Sequence, residues 1–392
     1  MSVLAPAPSL LIRPVQYRDL EAIANLRLRA VDPKALLTEK KREQNRLWYS
    51  LVKLLSYFPN PCQHIFTGYV AETAGGEIVG FVQVSPFNSS RSTWQVEEVV
   101  VENSAIQPEL VTDPKGIGSQ LLRHCFQSIW EARTWILEVD VNDKNILALY
   151  RQNGFQPLAQ LTYWSLTPEL LQNLAQNDPD LPNLLPVSNA DAPLLYQLDC
   201  VSMPPLLRQV FDRHILDFKS RLWKSLICQI ENWCYHRYPL RGYVFEPQRK
   251  AAIAYFKLML SRDGTQPHQA QLTVHPAYTW LYPKLLLHMA RLCQNLPLQN
   301  MELTSADYQH EREEYLEQLG AQRQKHALLM SRSVWHKLKE TKLERLQLAE
   351  VLQGLKPAPQ SPIPSRISLL KLSNSNGSTE AAANKDDLGK TL

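Results

Sequence analysis

Asp113-Pro114-Lys115-Gly116-Ile117-Gly118-Ser119-Gln120-Leu121-Leu122 is the stretch on which the reading of this chain turns. Two glycines stand where a valine-rich strand gives way to an apolar-periodic helix. The first turn of a helix has four amide hydrogens without internal partners, and its aligned peptide dipoles make that end partly positive. An anion such as a diphosphate fits there. Side chains at 116 and 118 would obstruct its approach, and glycine also tolerates any positive φ the turn requires. Taken alone, G-x-G reads equally as an ordinary loop before a helix, so the neighbouring segments must decide.

Upstream, Trp94-Gln95-Val96-Glu97-Glu98-Val99-Val100-Val101 is β-branched and partly alternating, the pattern of a strand. Downstream, Ile136-Leu137-Glu138-Val139-Asp140-Val141 reads as another. Next comes Asn145-Ile146-Leu147-Ala148-Leu149-Tyr150-Arg151-Gln152-Asn153-Gly154-Phe155, a short helix closed by glycine. Near the start, Leu11 to Val15 and Asp19 to Ile23 read as a first strand and first helix. Phe66 to Glu72 and Glu77 to Val84 flank Gly75-Gly76, a hairpin signal.

Strand, glycine turn, helix, strand and the A-L-Y-x-x-x-G-F ending together resemble the GNAT superfamily of acetyl-coenzyme A-dependent N-acetyltransferases. The resemblance covers residues 9 to 168. It has departures. Asp113 stands where the family places Arg or Gln, so either the loop turns it away or Lys115 compensates its charge. The run from Val101 to Gly116 is longer than usual and contains Pro108 and Pro114. Asp143 replaces the usual Asn, with Asn142 and Asn145 beside it.

The resemblance implies direct attack of an unprotonated amine on the thioester of acetyl-coenzyme A, with no metal and no nucleophilic cysteine. It assigns the cofactor's diphosphate to the amides of Lys115, Gly116, Ile117, Gly118 and Ser119, with Asn145 as a further cofactor contact. The carbonyl oxygen takes a backbone amide near Val99, Val100 or Val101. Tyr150 is the expected acid for the departing thiolate. Glu97 or Glu98 is the expected acceptor of the ammonium proton, and strand alternation predicts that at most one of them faces the cleft. Cys125 reads as core packing more than as a reactive thiol. An insertion over 33–58, with helical leucine spacing, places Trp48, Tyr49 and Tyr57 beside the acceptor, although aromatic core packing explains each of them as well.

Length and composition bound the rest. A chain of 392 residues with 44% hydrophobic content suggests two domains with real cores. No apolar run is long enough to cross a bilayer, and no charged-then-apolar signal opens the chain, so the expected location is the cytoplasm. Six scattered cysteines without a C-x-x-C pair favour reduced thiols, and Cys234-Tyr235-His236 is too small a group for a metal site. A net charge of +4 does not call for nucleic acid.

The second half repeats the order of the first. After Leu185-Pro186-Val187, the segment Gln271 to Pro276 reads as a fourth strand, Leu281 to Leu292 as the following helix and Asn300 to Thr304 as the next strand. Glu314 to Gln322 parallels Leu149 to Gln156, and aligning the glycines puts Leu316 where the first copy has Tyr150. Glycine is absent before this second helix, where Trp280-Leu281-Tyr282-Pro283 fills the turn. That copy is expected to be degenerate, with a structural or substrate-shaping role or a different ligand.

The expected fold is therefore α/β (α+β), two tandem GNAT-like domains each with a mixed, mostly antiparallel sheet. Residues 1–8 are expected to be disordered, 9–168 to form the catalytic domain, 169–184 a linker, 185–352 the degenerate domain and 353–392 a disordered Pro/Ser-rich tail. Ala327 to Ser331 is expected as a last strand, followed by an amphipathic helix carrying Lys337 to Arg345. The expected function is acetyl transfer to a small-molecule or protein amine, with no membrane partner, in a chain whose tandem pair imitates the family's dimers. The alternative is a non-catalytic protein that keeps the fold to sense acetyl-coenzyme A or to bind protein or RNA.

Overall fold

The structure is a computed structural model that describes residues 10–30, 67–102, 116–220 and 236–334. Their strands are β1 (Leu11–Pro14), β2 (Thr67–Glu72), β3 (Ile78–Pro86), β4 (Thr93–Val101), β5 (Thr134–Asp140), β6 (Gln156–Leu166), β7 (Leu184–Pro186), β8 (Arg237–Glu246), β9 (Ala251–Ser261), β10 (His268–Val274), β11 (Met301–Ala306) and β12 (Gln322–Ser333). Between them lie helices α1 (Leu20–Ala30), α2 (Ile117–Ser128), α3 (Lys144–Gln152), α4 (Pro168–Ala175), α5 (Ala192–Ser202), α6 (Pro205–Phe211), α7 (Leu281–Cys293) and α8 (His310–Gln318). The 33–58 insertion, the 103–115 run, Cys234 and everything beyond 334 lie outside the described residues.

The element order of the first copy, β1-α1-β2-β3-β4-α2-β5-α3-β6, recurs as β7-α5-β8-β9-β10-α7-β11-α8-β12. The repeat is visible in single hydrogen bonds. Gly154 and Gly320 both take the left-handed backbone that lacks a penalty only for glycine, at φ +81° and +82°. After each, the chain returns to the same helical carbonyl: Phe155 N donates to Tyr150 O and Ala321 N to Leu316 O, both at 3.0 Å. Leu316 thus stands at the position of Tyr150. The Gly75-Gly76 hairpin forms as expected, with Gly76 at φ +82°.

The two sheets are fused. One 12-stranded sheet runs β1-β2-β3-β4-β5-β12-β6-β11-β10-β9-β8-β7. The last strand of each copy is exchanged: β12 pairs with β5 of the first copy, β6 pairs with β11 of the second, and β6 and β12 pair with each other, all antiparallel. Core packing follows the exchange. Met330 of β12 is fully buried among Trp94, Trp135 and Phe126 of the first lobe, while Trp164 of β6 is buried with Leu258, Leu285 and Met289 of the second. Trp164 Nε1 donates to Ser305 Oγ at 2.8 Å, so its one polar atom is satisfied inside the foreign core. Each such side chain contributes roughly 2–3 kcal/mol through burial, which ties either lobe's stability to the other's strand.

Helices cover both faces. In the first lobe α1 packs on one face through Ile23 and Leu26, and α2 and α3 pack on the other through Leu121, Leu122, Leu147 and Leu149. In the second lobe α5 takes the α1 position, and α4, α7 and α8 occupy the α2/α3 face. Helix α6 lies over the exchanged strands, with Leu207 against Ala159 and Leu329. The chain after it is fixed to the β3–β4 turn, where Asn88 Nδ2 donates to Asp212 O at 2.9 Å and Ser92 Oγ to Asp212 Oδ2 at 2.5 Å.

Candidate functional site

Strands β4 and β5 are parallel for only three pairs, ending at Gln95↔Ile136, although β4 runs on to Val101 and β5 to Asp140. Beyond that point they diverge and leave a V-shaped gap with unpaired main chain on both sides. Helix α2 starts across the α2/α3 face of this gap. Gly116 is its N-cap and makes no side-chain cap; the first turn carries no acidic residue. Gln120 N is the first amide to bond back, to Gly116 O at 3.1 Å. Among the described residues nothing accepts from the amides of Ile117, Gly118 or Ser119. Three bare N–H groups at the positive end of a 12-residue helix are a fit for a diphosphate.

The glycines serve this geometry differently from the sequence expectation. Gly116 has φ −65° and ψ 161°, extended backbone open to any residue, so no left-handed turn is needed. At Gly118 an added Cβ would stand 3.2 Å and 3.3 Å from the two Leu149 methyls and 3.6 Å from Val101. Its smallness lets α2 settle onto α3 and β4. Ser119 is fully buried, and its hydroxyl accepts from Asn153 Nδ2 at 3.0 Å, which binds the start of α2 to the end of α3. Lys115 and Asp113 lie outside the described residues. Asn145 is exposed in the first turn of α3, where Asp143 Oδ1 accepts from Ile146 N at 3.0 Å and caps the helix. The acid that departs from the family pattern at 143 is therefore a cap.

On β4 the expected alternation fails. Val84 pairs with Val96 and Gln83 with Glu98, so Glu97 is the extra residue of a β-bulge. The bulge changes which residues share a face: Trp94 and Val96 enter the α2/α3 core, and after it Val99 and Val101 do, while Val100 joins the α1 core. Glu97 and Glu98 consequently both stand on the α1 face. Glu97 is exposed and accepts from Ser85 Oγ at 2.6 Å. Glu98 accepts from Arg27 Nε at 2.9 Å and its terminal nitrogen at 2.5 Å, and Arg27 also lies over the Phe81 ring. Both carboxylates face one side because of the bulge.

Tyr150 is buried on α3 with its ring edge-on to Phe155, centroids 5.6 Å apart. Burial, and then the charges of Asp143 and Glu98, raise its phenol well above the ordinary value. The phenol therefore keeps its proton throughout the neutral range. Cys125 is completely buried and its thiol is raised by desolvation, so it is packing. Among the described residues no group of His, Cys, Asp and Glu has metal-ligand geometry, and no helix is long and apolar enough to cross a membrane.

The second lobe has the same gap and fills it. Strands β10 and β11 are parallel for three pairs, ending at Ala270↔Leu303. Just beyond, the guanidinium of Arg312 from α8 donates to Leu272 O at 2.6 Å and to Thr304 O at 2.9 Å. It bridges the diverging strands with its own side chain, 3% exposed and stacked 5.3 Å from the Tyr282 ring. At the start of α7, Leu281 and Tyr282 are buried where the first lobe has glycine-backed amides, and Trp280 is half exposed. Nothing in the sequence pattern singled out Arg312; its signal was an arginine in the apolar frame i, i+4 to Leu316.

Residues 64–157 match the family model of the acetyltransferase (GNAT) domain. Over those residues the first lobe is similar to a GNAT domain. Among solved structures, a tandem GNAT protein from the clavulanic acid biosynthesis pathway aligns at 14% identity with a TM-score of 0.52, covering 84% of this chain and 100% of that one. A GCN5-related glucosamine N-acetyltransferase region of a fungal multi-domain GH3 β-N-acetylglucosaminidase aligns at 12% identity and TM-score 0.52, covering 85% of this chain and 39% of that one. At such identities the likeness is one of fold, and it extends over both GNAT-like lobes. Comparison with curated proteins returns no match.

Proposed function

We propose that the chain is an N-acetyltransferase that moves the acetyl group of acetyl-coenzyme A to a primary amine by direct attack in a ternary complex. The observation that carries this is the open β4/β5 gap with three bare amides at its mouth. The acetyl thioester, once bound, supplies an activated acyl carbon. The amides of Ile117, Gly118 and Ser119, with Gly116 and Lys115 before them, would hold the diphosphate. Unpaired main chain of Val99 to Val101 offers a donor for the carbonyl oxygen.

Glu97 is the better base of the two carboxylates. Among the described residues it has hydroxyl and amide partners but no cation, whereas Glu98 is engaged by Arg27. Glu98 then orients Arg27 and adds negative field at Tyr150. The Tyr150 hydroxyl, held protonated by burial, donates to the departing sulfur. Arg312 occupies in the second lobe the place that a thioester arm would need, so a single donor site per chain follows.

Burial of Tyr150 in the core also favours the competing reading, a binding protein that retains the fold. Two assays separate them. Thermal unfolding with and without acetyl-coenzyme A reports binding, since a ligand held only by the folded chain raises its stability by about 2.7 kcal/mol at a hundredfold excess over Kd. Thiol release with a pool of primary amines reports transfer. Binding without thiol release leaves the sensor; neither response removes both readings.

A further inference from the structure

A cavity of about 470 Å³ lies on the face that carries α1 and α6 and crosses the seam between the lobes. Its walls come from both copies, among them Glu138 on β5, Leu161 and Tyr163 on β6, Phe211 at the end of α6, and Thr304 and Arg312 at the second gap. At one end Glu138 stands two residues past the last β4–β5 pair, on the wall of the first gap, and accepts from the Tyr163 hydroxyl. At the other end Arg312 presents a buried cation. Its amide-like partners are two main-chain carbonyls, its Nε has no partner, and no carboxylate among the described residues pairs with it.

The other cation on the lining is already engaged. Arg213 pairs with Asp199 at 3.0 Å and sits 5.2 Å and 5.6 Å from the Phe87 and Phe211 rings. Glu302 lines the cavity on the same strand as Thr304 but forms no ion pair with Arg312. A charge removed from water without an opposite charge is costly, and an arriving anion relieves it. The trough is therefore dipolar, with a carboxylate at the gap where acyl transfer is placed and an uncompensated guanidinium at the far gap. Strands β12 and β6 separate β5 from β11, so the strands that carry the two ends lie three spacings, about 14 Å, apart across the sheet.

We propose that this trough is the acceptor site and that it takes an extended amine with a carboxylate at its far end, on the order of four extended residues long. The ammonium end lies at Glu138 and the carboxylate at Arg312, with Leu161 and Phe211 against the chain between them. The inference rests on the transferase reading of the first gap and adds the acceptor's class to it. The second lobe, unfit to hold a donor, becomes the part that measures the acceptor.

Tetraglycine and tetraglycinamide are the probes, titrated calorimetrically into the full chain saturated with coenzyme A. The free acid is expected to bind at least about tenfold more tightly than the amide, a difference of about 1.4 kcal/mol. Arg312→Gln is expected to erase that difference while leaving the amide's affinity in place, and Glu138→Gln to weaken acid and amide alike. The wild-type pair decides the matter even if the Arg312 variant does not fold. Equal affinity for acid and amide, or no binding of either, overturns the proposal. Thiol release is scored separately: acid-selective binding without turnover sinks the transferase reading alone, and turnover without acid preference sinks the trough alone.

Discussion

The first and second lobes diverge at the same place in the same fold, and their difference shows how a cleft is kept or lost. Each has two parallel strands that separate after three pairs and a helix that starts over the gap. In the first, Gly118 lets α2 pack against Leu149 while the amides above stay bare. In the second, Arg312 donates to the carbonyls of both strands, Tyr282 is buried against it, and Leu316 takes the position of Tyr150. A side chain has replaced the ligand's hydrogen bonds. The divergence after three pairs is kept in both lobes, whatever fills it.

Removing the acid is expected to have the largest effect on this comparison. Tyr150→Phe should lower turnover by on the order of 10²–10³-fold, with the acetyl-coenzyme A thermal shift retained, because it makes the first lobe resemble the second only at the proton donor. Unchanged turnover would remove Tyr150 from the mechanism. Because burial and the Asp143 and Glu98 charges raise its phenol, the wild-type rate should climb with pH as the amine loses its proton and show no fall attributable to Tyr150 up to pH 10. A descending limb below that pH contradicts the assignment.

Opening the second gap comes next. Arg312→Ala strands the carbonyls of Leu272 and Thr304 and should cost on the order of 3 kcal/mol in urea unfolding. A neutral result means that the guanidinium is not what closes the gap. Lifting α2 from its seat beside the first gap is the reciprocal change. Gly118→Val forces carbon atoms into Leu149, whose methyls already lie 3.2–3.3 Å from a single added Cβ. The expected cost is about 1–3 kcal/mol by overpacking, with a weaker thermal shift from acetyl-coenzyme A. The smallest effect belongs to the bulge. Glu97→Gln should slow transfer about tenfold near neutral pH, and the deficit should shrink at a pH where the amine is already free. A deficit that is constant with pH would mean that Glu97 shapes the strand and does not take the proton.

Sequence pattern reached most of the element order because its strong signals are local. Glycine at 154 and 320, β-branched runs at 93–101 and 134–140, and the periodic helices after them specify structure within a few residues. The exchange of β6 and β12 was not legible. Both strands satisfy any antiparallel neighbour of similar apolar pattern, and only the placement of Trp164 and Met330 in the opposite cores reveals the partner. The bulge at Glu97 was invisible for a related reason, since Val96-Glu97-Glu98-Val99 reads as alternation with one acid on each face. Arg312 was hidden because an arginine on a helix is ordinarily a solvated residue, and its value lies in carbonyls 8 and 40 residues away in the chain. The expected last strand, Ala327 to Ser331, is longer than its apolar run, for β12 also takes in Arg323, Lys325 and Arg332, and Arg332 packs 4.2 Å from the Phe126 ring.

Calorimetric titration of the full chain with acetyl-coenzyme A tests the central asymmetry most directly. Bare amides over an open gap in one lobe and a guanidinium across the gap in the other predict a stoichiometry of one per chain, with the affinity weakened by Gly118→Val and unaffected by Arg312→Gln. Two equivalents per chain, or none, would contradict it.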